Sequence, residues 1–577
     1  MKKTITRRTF NDNALIDTDL HPLLKRIYAA RGVSSLDELS QELNDLLPFN
    51  QLKGIEDAIS VLYNAMNKRQ HVLILGDFDA DGATSAALAV TALRSFGLEK
   101  ISYLVPNRFE YGYGLTPEIV DVAHKYGPHL IVTVDNGIAS MEGVDHAKSL
   151  GMNVIITDHH LPGKALPKAD AIVNPNQPGD TFPSKNLAGV GVIFYVMLAL
   201  RAHLRTVSWF EAENITEPNM GELLDLVALG TVADVVPLDK NNRILVYQGL
   251  KRMRSGKARP GIRALIEVAK RNISKVVTND LGFGVAPRLN AAGRLEDMSL
   301  GIECLLTPDK GTADRIAIRL DRLNNERKQI ESTMQAQAST ALQKLQLKGE
   351  LPSGLCLYDQ SWHQGVIGIL ASRVKEKFHR PTIIFAQSNA QELKGSARSI
   401  PGLHIRDAMD AVASQYPGLI QKFGGHAMAA GLSLKSEHYE AFSKAFAEEV
   451  DRCISPEDLQ GKIVSDGELA PQDFDIALVE ILKNATPWGQ CFPEPLFDNC
   501  FQVIEQRVLA EKHLKMILRL PETDWDIEAI AFNVDREKWP DHGVEKLRIA
   551  YRLDINEFGN TRSLQLIVAH IEILNDT

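Results

Sequence analysis

Residues His71–Ser85 read HVLILGDFDADGATS, and the fold turns on them. Val72 to Gly76 are apolar or glycine and give a short buried-strand pattern, after which Asp77, Asp79 and Asp81 alternate along the chain until Gly82 frees the backbone to turn. The following ATSAALAVTALRSFG is rich in Ala and Leu with apolar residues at helical spacing. The acidic loop therefore joins a strand to a helix, the junction at which open parallel sheets bind ligands. Three carboxylates at one strand end repel each other, and oxygen donors gathered in this way suit Mg²⁺ or Mn²⁺. By itself the stretch fits an acidic surface turn capping a helix equally well.

The same pattern recurs downstream. ISYLVPNRFEYGYGL is a strand followed by a loop holding Arg108, and HLIVTVDNGIAS carries an apolar run from Leu130 to Val134 that ends at Asp135. MNVIITDHHLPG repeats it from Val154 to Ile156, ending in Asp158, His159 and His160. Taken singly, VDNG also fits an Asn-Gly turn, and DHH an Asp cap with two solvated histidines. Strands alternating with helices imply a parallel sheet with right-handed crossovers, so the three strand ends share one edge and their charge needs compensation. Further on, ELLDLVALGTVADVVPL reads as an apolar helix broken at Gly230, with Asp234 in the loop beyond as either an exposed cap or another ligand. LGFGVAPRLNAAGRLED puts Arg288, Asn290 and Arg294 in a Gly/Ala-rich loop suited to an anionic backbone.

With 577 residues and 44% hydrophobic content, the chain exceeds one core and should hold three or four domains. Residues 1–50 read as an N-terminal helical arm, with Ser35 as a helix cap, and 51–310 as the first α/β domain. A long helix over 311–347, with Ile316, Leu320, Leu323, Ile330 and Met334 on its apolar stripe and a solvated charged face, connects to a second α/β domain at 348–452. That domain contains ELKGSARSI, a strand and turn with Ser396 and Arg398, and KFGGHAMAAG, where Gly424 and Gly425 before His426 can cradle a phosphate or simply form a turn. From 453 to 577, alternating runs beginning with KIVSDGEL read as a small β-barrel of the oligonucleotide-binding type. A net charge of -9 argues against a general nucleic-acid coat. Five scattered cysteines without a CxxC pair fit a reducing compartment, and no apolar stretch of about 18 residues is evident. The expectation is a soluble, cytoplasmic protein without membrane contact.

The ordered set DFDADGATS, VDNG, DHH, GTVADVVPL and GGHAMAAG resembles the DHH phosphoesterase superfamily, and nearly the whole chain is similar to its bacterial single-strand-specific exonucleases. The resemblance implies a parallel-sheet DHH domain joined by a long helix to a second α/β domain, with an OB-like barrel at the C-terminus. It implies metal-dependent 5′-to-3′ hydrolysis of single-stranded DNA to 5′-mononucleotides, in recombination and repair. Carried over by motif, Asp77, Asp79, Asp81, Asp135, His159 and Asp234 hold two ions of Mg²⁺ or Mn²⁺, His160 touches the scissile phosphate, and Asp158 orients its neighbours. Arg108, Arg288, Ser396, Arg398 and His426 are then contacts to the nucleic-acid backbone or 5′-phosphate. The implied partners are single-stranded DNA, a single-strand-binding protein and a helicase, with the enzyme itself a monomer. A relative acting on a small phosphoester is the alternative enzyme, which the length and the barrel oppose. A binding scaffold would require the acidic set to be broken, and it is intact.

Overall fold

The order in which strands join the first sheet fixes where its ligand goes. In the computed structural model, which describes all residues except 1–2, 11–14, 16, 108–113, 347–350, 511, 522, 535–538, 542, 559–560 and 575–577, the chain separates into two compact units. One comprises Phe10–Asn324 and Glu480–Glu494; the other comprises Met1–Thr9, Asn325–Val479 and Pro495–Thr577.

The first unit is built on a five-stranded, wholly parallel sheet. In space its strands run Ile101–Leu104, Val72–Gly76, Leu130–Val134, Asn153–Thr157 and Ala171–Val173. Val72–Gly76 and Leu130–Val134 are buried at every residue, as expected of strands covered on both faces. The winding reverses at Val72–Gly76, so the crevice beyond the carboxyl ends of Val72–Gly76 and Leu130–Val134 is the topological switch point. Asp77–Asp81 and Asp135 are the residues that leave those two ends.

Helix Ala80–Ser95 is buried on nearly all sides, and its run of alanines lets Gly189–Thr206, Leu224–Ala233 and Ser299–Leu306 pack closely on it. Leu224–Ala233 is not broken at Gly230. A Cβ there would lie 2.2 Å from Thr84 Oγ1 and 2.7 Å from Asp81 Oδ1, so this glycine serves close approach, not a break. Gly189–Thr206, with mean hydropathy 1.2, is long and apolar enough to cross a membrane by length and composition, contrary to the sequence reading. It is 67% buried against Ile55–Asn67 and Ala80–Ser95, the setting of a core helix. The expected Gly/Ala-rich loop around Arg288 is also helical, a wide π turn at Asp280–Val285 running into Ala286–Leu295, because its glycines and alanines meet close neighbours. Ser35 makes no side-chain cap; it precedes only a short 3₁₀ turn at Leu36–Leu39.

In the second unit, a mixed five-stranded sheet runs Lys422–Gly425, Ala429–Lys435, Glu392–Arg398, Thr382–Asn389 and Leu355–Tyr358, with only the last pair parallel. Phe497–Leu509, His513–Arg519, Asp526–Ala531, Thr561–Ile573 and Lys546–Phe558 close into a barrel. Two corrections arise here. The first segment is not purely helical: Thr4–Arg7 is a strand pairing in parallel with Lys462–Ser465, which is thereby outside the barrel. Arg7 and Arg548 both bond the fully buried Asp498, which ties this pair to the barrel, a long-range partnership that local pattern does not carry. The long helix spans Lys310–Gln346, but its charged face is not wholly solvated. Arg327 and Glu331 are buried, with Arg373 donating to Glu331 at 3.0 Å.

Gly230→Ala is expected to destabilise the protein by about 1–3 kcal/mol in chemical denaturation, since Thr84 and Asp81 must move. Gly282→Ala, whose Cβ meets its nearest neighbour at 3.4 Å, should change stability by less than about 0.5 kcal/mol. Equal effects of the two substitutions would contradict the close-approach role.

Candidate metal centre

The acidic loop is shaped by its own backbone. Asp79 is the N-cap of helix Ala80–Ser95, its Oδ1 accepting from the amides of Asp81 and Gly82 at 3.0 Å each. Asp81 then points inward, 1% exposed, and accepts from the amides of Gly189 at 2.6 Å and Val190 at 3.0 Å, the first residues of another helix. Each of its oxygens keeps a lone pair beyond the amide it accepts from. The loop is held from outside by Asn290, whose Oδ1 accepts from the Ala80 amide at 2.8 Å, and by Gly293, where a Cβ would lie 1.9 Å from Phe78 O.

Asp135 leaves its strand in the left-handed region, with φ 63°. An L-residue in such a conformation costs about 1–3 kcal/mol, and it persists where the surroundings over-determine it. Here Gly189 is the constraint, because a Cβ on it would sit 2.5 Å from the Asp135 Cβ. The third strand end is organised by Asp158. Its Oδ1 accepts from the amides of His159 and His160 and from His160 Nδ1 at 2.7 Å, and its Oδ2 accepts from Ile138 N at 2.9 Å. Asn176 and Asn174 donate to the carbonyls of His159 and His160 at 2.6 and 2.9 Å. His159 Nε2 comes within 3.1 Å of Asp135 Oδ1 and 3.4 Å of Asp234 Oδ2, Asp234 being the C-cap of Leu224–Ala233.

Three sets of potential ligand atoms each lie within 4.8 Å of one another: Asp77, Asp79 and Asp135; Asp135, His159 and His160; Asp81, His159 and Asp234. Asp135 and His159 each belong to two sets, so the sets overlap. At an effective dielectric of about 20, two carboxylates 4 Å apart repel by about 4 kcal/mol, and these are also largely desolvated. Without a cation the protein pushes protons onto them. Burial, then the neighbouring Asp79, raises the Asp81 carboxyl to about 7. Burial, then Asp81 and Asp79, holds Asp135 and Asp234 well above the usual carboxylate range. Asp158 differs: burial opposes its ionisation, but the bonded His160 ring holds it below its ordinary value. His160, which burial would lower, is raised to about 9 by that same carboxylate. Carboxylate oxygens joined by one or two imidazoles fit Mn²⁺ or Mg²⁺ in charge and donor type.

The eight residues expected at the metal and its phosphate thus meet in one place. Of the remaining five expected residues, only Arg288 lies among the described residues of this unit. Arg108 lies outside the described residues. Arg288 binds Asp321 through Nε and Nη2 and donates from Nη1 to Gly284 O, so it is engaged within the fold. Ser396, Arg398 and His426 belong to the second unit. Arg398 donates to Ala397 O at 2.8 Å and Ser396 Oγ at 3.2 Å, and burial lowers its guanidinium pKa from the usual value. His426 sits in the hairpin whose second strand pairs Ala429 with Arg398. Sequence reading missed the supporting amides of Gly189 and Val190 and the asparagines Asn174 and Asn176. Their only trace is an NPN triplet after an apolar run and a glycine opening a helix.

Three family models match the chain: the DHH family N-terminal domain over residues 71–231, the DHHA1 domain over 351–452 and the RecJ OB domain over 465–570. The curated single-stranded-DNA-specific exonuclease RecJ of Escherichia coli (strain K12) is 55% identical over 568 residues, covering 98% of each chain. The crystal structure of RecJ from Thermus thermophilus in complex with Mn²⁺ is 28% identical with TM-score 0.79, covering 98% of this chain and 78% of that one. The Mg²⁺ complex of the Thermus protein is 26% identical with TM-score 0.74, covering 98% and 76%.

The raised carboxyls predict a pH-dependent stability. The unfolded chain releases these protons near pH 4, whereas the metal-free fold retains them to higher pH, so the Asp81 contribution is lost as pH rises to about 7 and those of Asp135 and Asp234 also decline with rising pH. His160 acts in the same sense, its contribution falling away through about 9. The thermal midpoint of chelator-treated protein should therefore fall from pH 6 to pH 8, and Mn²⁺ should raise it more at pH 8. A midpoint that rises over this range without metal would contradict the site's electrostatics.

Proposed function

The chain belongs to the RecJ family of single-stranded-DNA-specific exonucleases, and from that premise we propose that it works from the 5′ end, releases 5′-mononucleotides and uses two divalent ions in recombination and repair. It is a single-stranded-DNA-specific exonuclease that depends on Mn²⁺ or Mg²⁺. The observation that carries the mechanistic reading is the overlap of three acidic and imidazole ligand sets at the switch point of one sheet.

In this reading Asp77, Asp79, Asp81, Asp135, His159 and Asp234 hold the ions. When bound, the ions lower the pKa of the attacking water and neutralise charge that builds on the phosphate during in-line displacement. The rest is the work of the chain. Asp158 fixes His160 through Nδ1 at 2.7 Å and raises its basicity, so the ring can offer a proton at Nε2 to the scissile phosphate. Asp79 and Asp81 owe their aim to backbone amides, which spares the metal site any rearrangement when substrate arrives.

The 5′ polarity is supported by the resemblance and by Ser396, Arg398 and His426 around a glycine hairpin, groups suited to a terminal phosphate. Arg108 is proposed as a backbone contact on motif alone, and Arg288 as a residue that braces its helix. A single-strand substrate has to be opened by a helicase and is shared with single-strand-binding protein, so both are proposed partners of a monomeric, cytoplasmic enzyme. Five unpaired cysteines accord with that compartment.

Strands labelled at the 5′ or 3′ end, and a blunt duplex, incubated with Mn²⁺, Mg²⁺ or chelator, test the reading together. Labelled mononucleotide should appear first from the 5′-labelled single strand, only with metal, and not from the duplex. Release from the 3′ label first would overturn the polarity. Asp158→Asn should lower kcat about 10- to 100-fold while Mn²⁺ affinity changes far less; unchanged kcat would remove the orienting role.

A further inference from the structure

Phe283 is 78% exposed, more than any other large apolar side chain among the described residues. It is not on a loose loop. The π turn Asp280–Val285 that carries it buries Leu281, Gly284 and Val285 and packs on helices Leu224–Ala233 and Pro260–Val268. Asp280 accepts from Val277 N at 3.1 Å and pairs with Arg271 Nε at 3.3 Å, while Arg288 Nη1 takes up Gly284 O. An ordered backbone thus holds an aromatic ring out in water.

Its position leads to the metal centre from both sides. Gly282 lies against Val232, where a Cβ would be 3.4 Å from Cγ1, two residues before Asp234. The same element continues into Ala286–Leu295, whose Asn290 and Gly293 contact the Phe78–Ala80 backbone between the acidic ligands. Val235, directly after Asp234, is 61% exposed and has φ 61°. A β-branched residue in the left-handed region is a genuine outlier, and such strain gathers at functional sites. π turns do likewise.

We propose that Phe283, with Val235 beside Asp234, is a base-stacking ledge that receives a nucleobase of the single strand next to the phosphodiester being cut. The inference rests on the single-strand reading above and adds to it a residue that binds bases, where the metal centre binds phosphate. The occupant is a base because the turn that carries the ring packs on helix Leu224–Ala233, which ends at Asp234, and every base has a π face that an exposed ring accepts without regard to sequence. Arg288 is a positioning residue here, holding the Gly284 carbonyl of the turn that carries the ring.

The test compares wild type, F283A, F283L and F283W on a long single strand and on the same strand with tetrahydrofuran abasic residues at its first several positions. On the intact strand F283A and F283L should lose about tenfold in kcat/KM, chiefly through KM, and F283W should stay within about twofold of wild type. On the abasic strand wild type should fall to the level of F283A, with no further loss in the variant. Full activity of F283A on the intact strand, or an equal penalty on both strands, would overturn the ledge. Wild-type activity on the intact strand reads the parent assignment separately, and an inert wild type would sink both. Because the side chain is exposed, the thermal midpoint and its Mn²⁺ shift should be the same in all four proteins; a shift lost only in F283A and F283L would assign the ring to the metal centre's integrity instead.

Discussion

Like charge gathered in a place that water barely reaches is the constraint from which the rest of this structure follows. Asp77, Asp81, Asp135 and Asp158 are each no more than 6% exposed, and Asp79 and Asp234 crowd the same crevice. Protons or divalent ions are the two ways to relieve such repulsion, and the raised carboxyls are what the first way looks like. Asp158 stands apart because its charge is already matched by His160 and three backbone amides, those of Ile138, His159 and His160.

Holding that charge in place dictates the packing around it. Glycine occurs where two elements must come closer than a side chain allows: Gly189 against Asp135, Gly230 against Thr84 and Asp81, and Gly293 against the Phe78 carbonyl. Helix Ala80–Ser95 is alanine-rich for the same reason, since three helices share its surface. The left-handed Asp135 is an energetic cost accepted within this arrangement, and the buried amides of Gly189 and Val190 turn a helix start into a clamp on Asp81.

The parallel sheet and the meeting of its three acidic ends were legible because buried strands are continuous apolar runs and because crossover handedness leaves one edge for their carboxyl ends. What escaped has a common cause. A glycine in an apolar helix looks the same in sequence whether it breaks the helix or admits a neighbour, so Gly230 and the stretch around Arg288 were misread. Thr4–Arg7 gained its strand from a partner more than 450 residues away, and Arg327 and Glu331 are buried by contacts that helical periodicity does not encode. Asn174 and Asn176 act through carbonyls of the two histidines, which no spacing rule anticipates.

The family and its metals set the chemistry, but the way this chain meets it rests on shared ligands. Asp135 and His159 each stand in two ligand sets, so loss of Asp135 should disturb more than one ion. A Mn²⁺ titration followed by electron paramagnetic resonance, on wild type and Asp135→Asn, measures this directly. The account predicts two ions per wild-type chain, and at most one, weakly held, in the variant. Two ions bound with unchanged affinity by Asp135→Asn would contradict it.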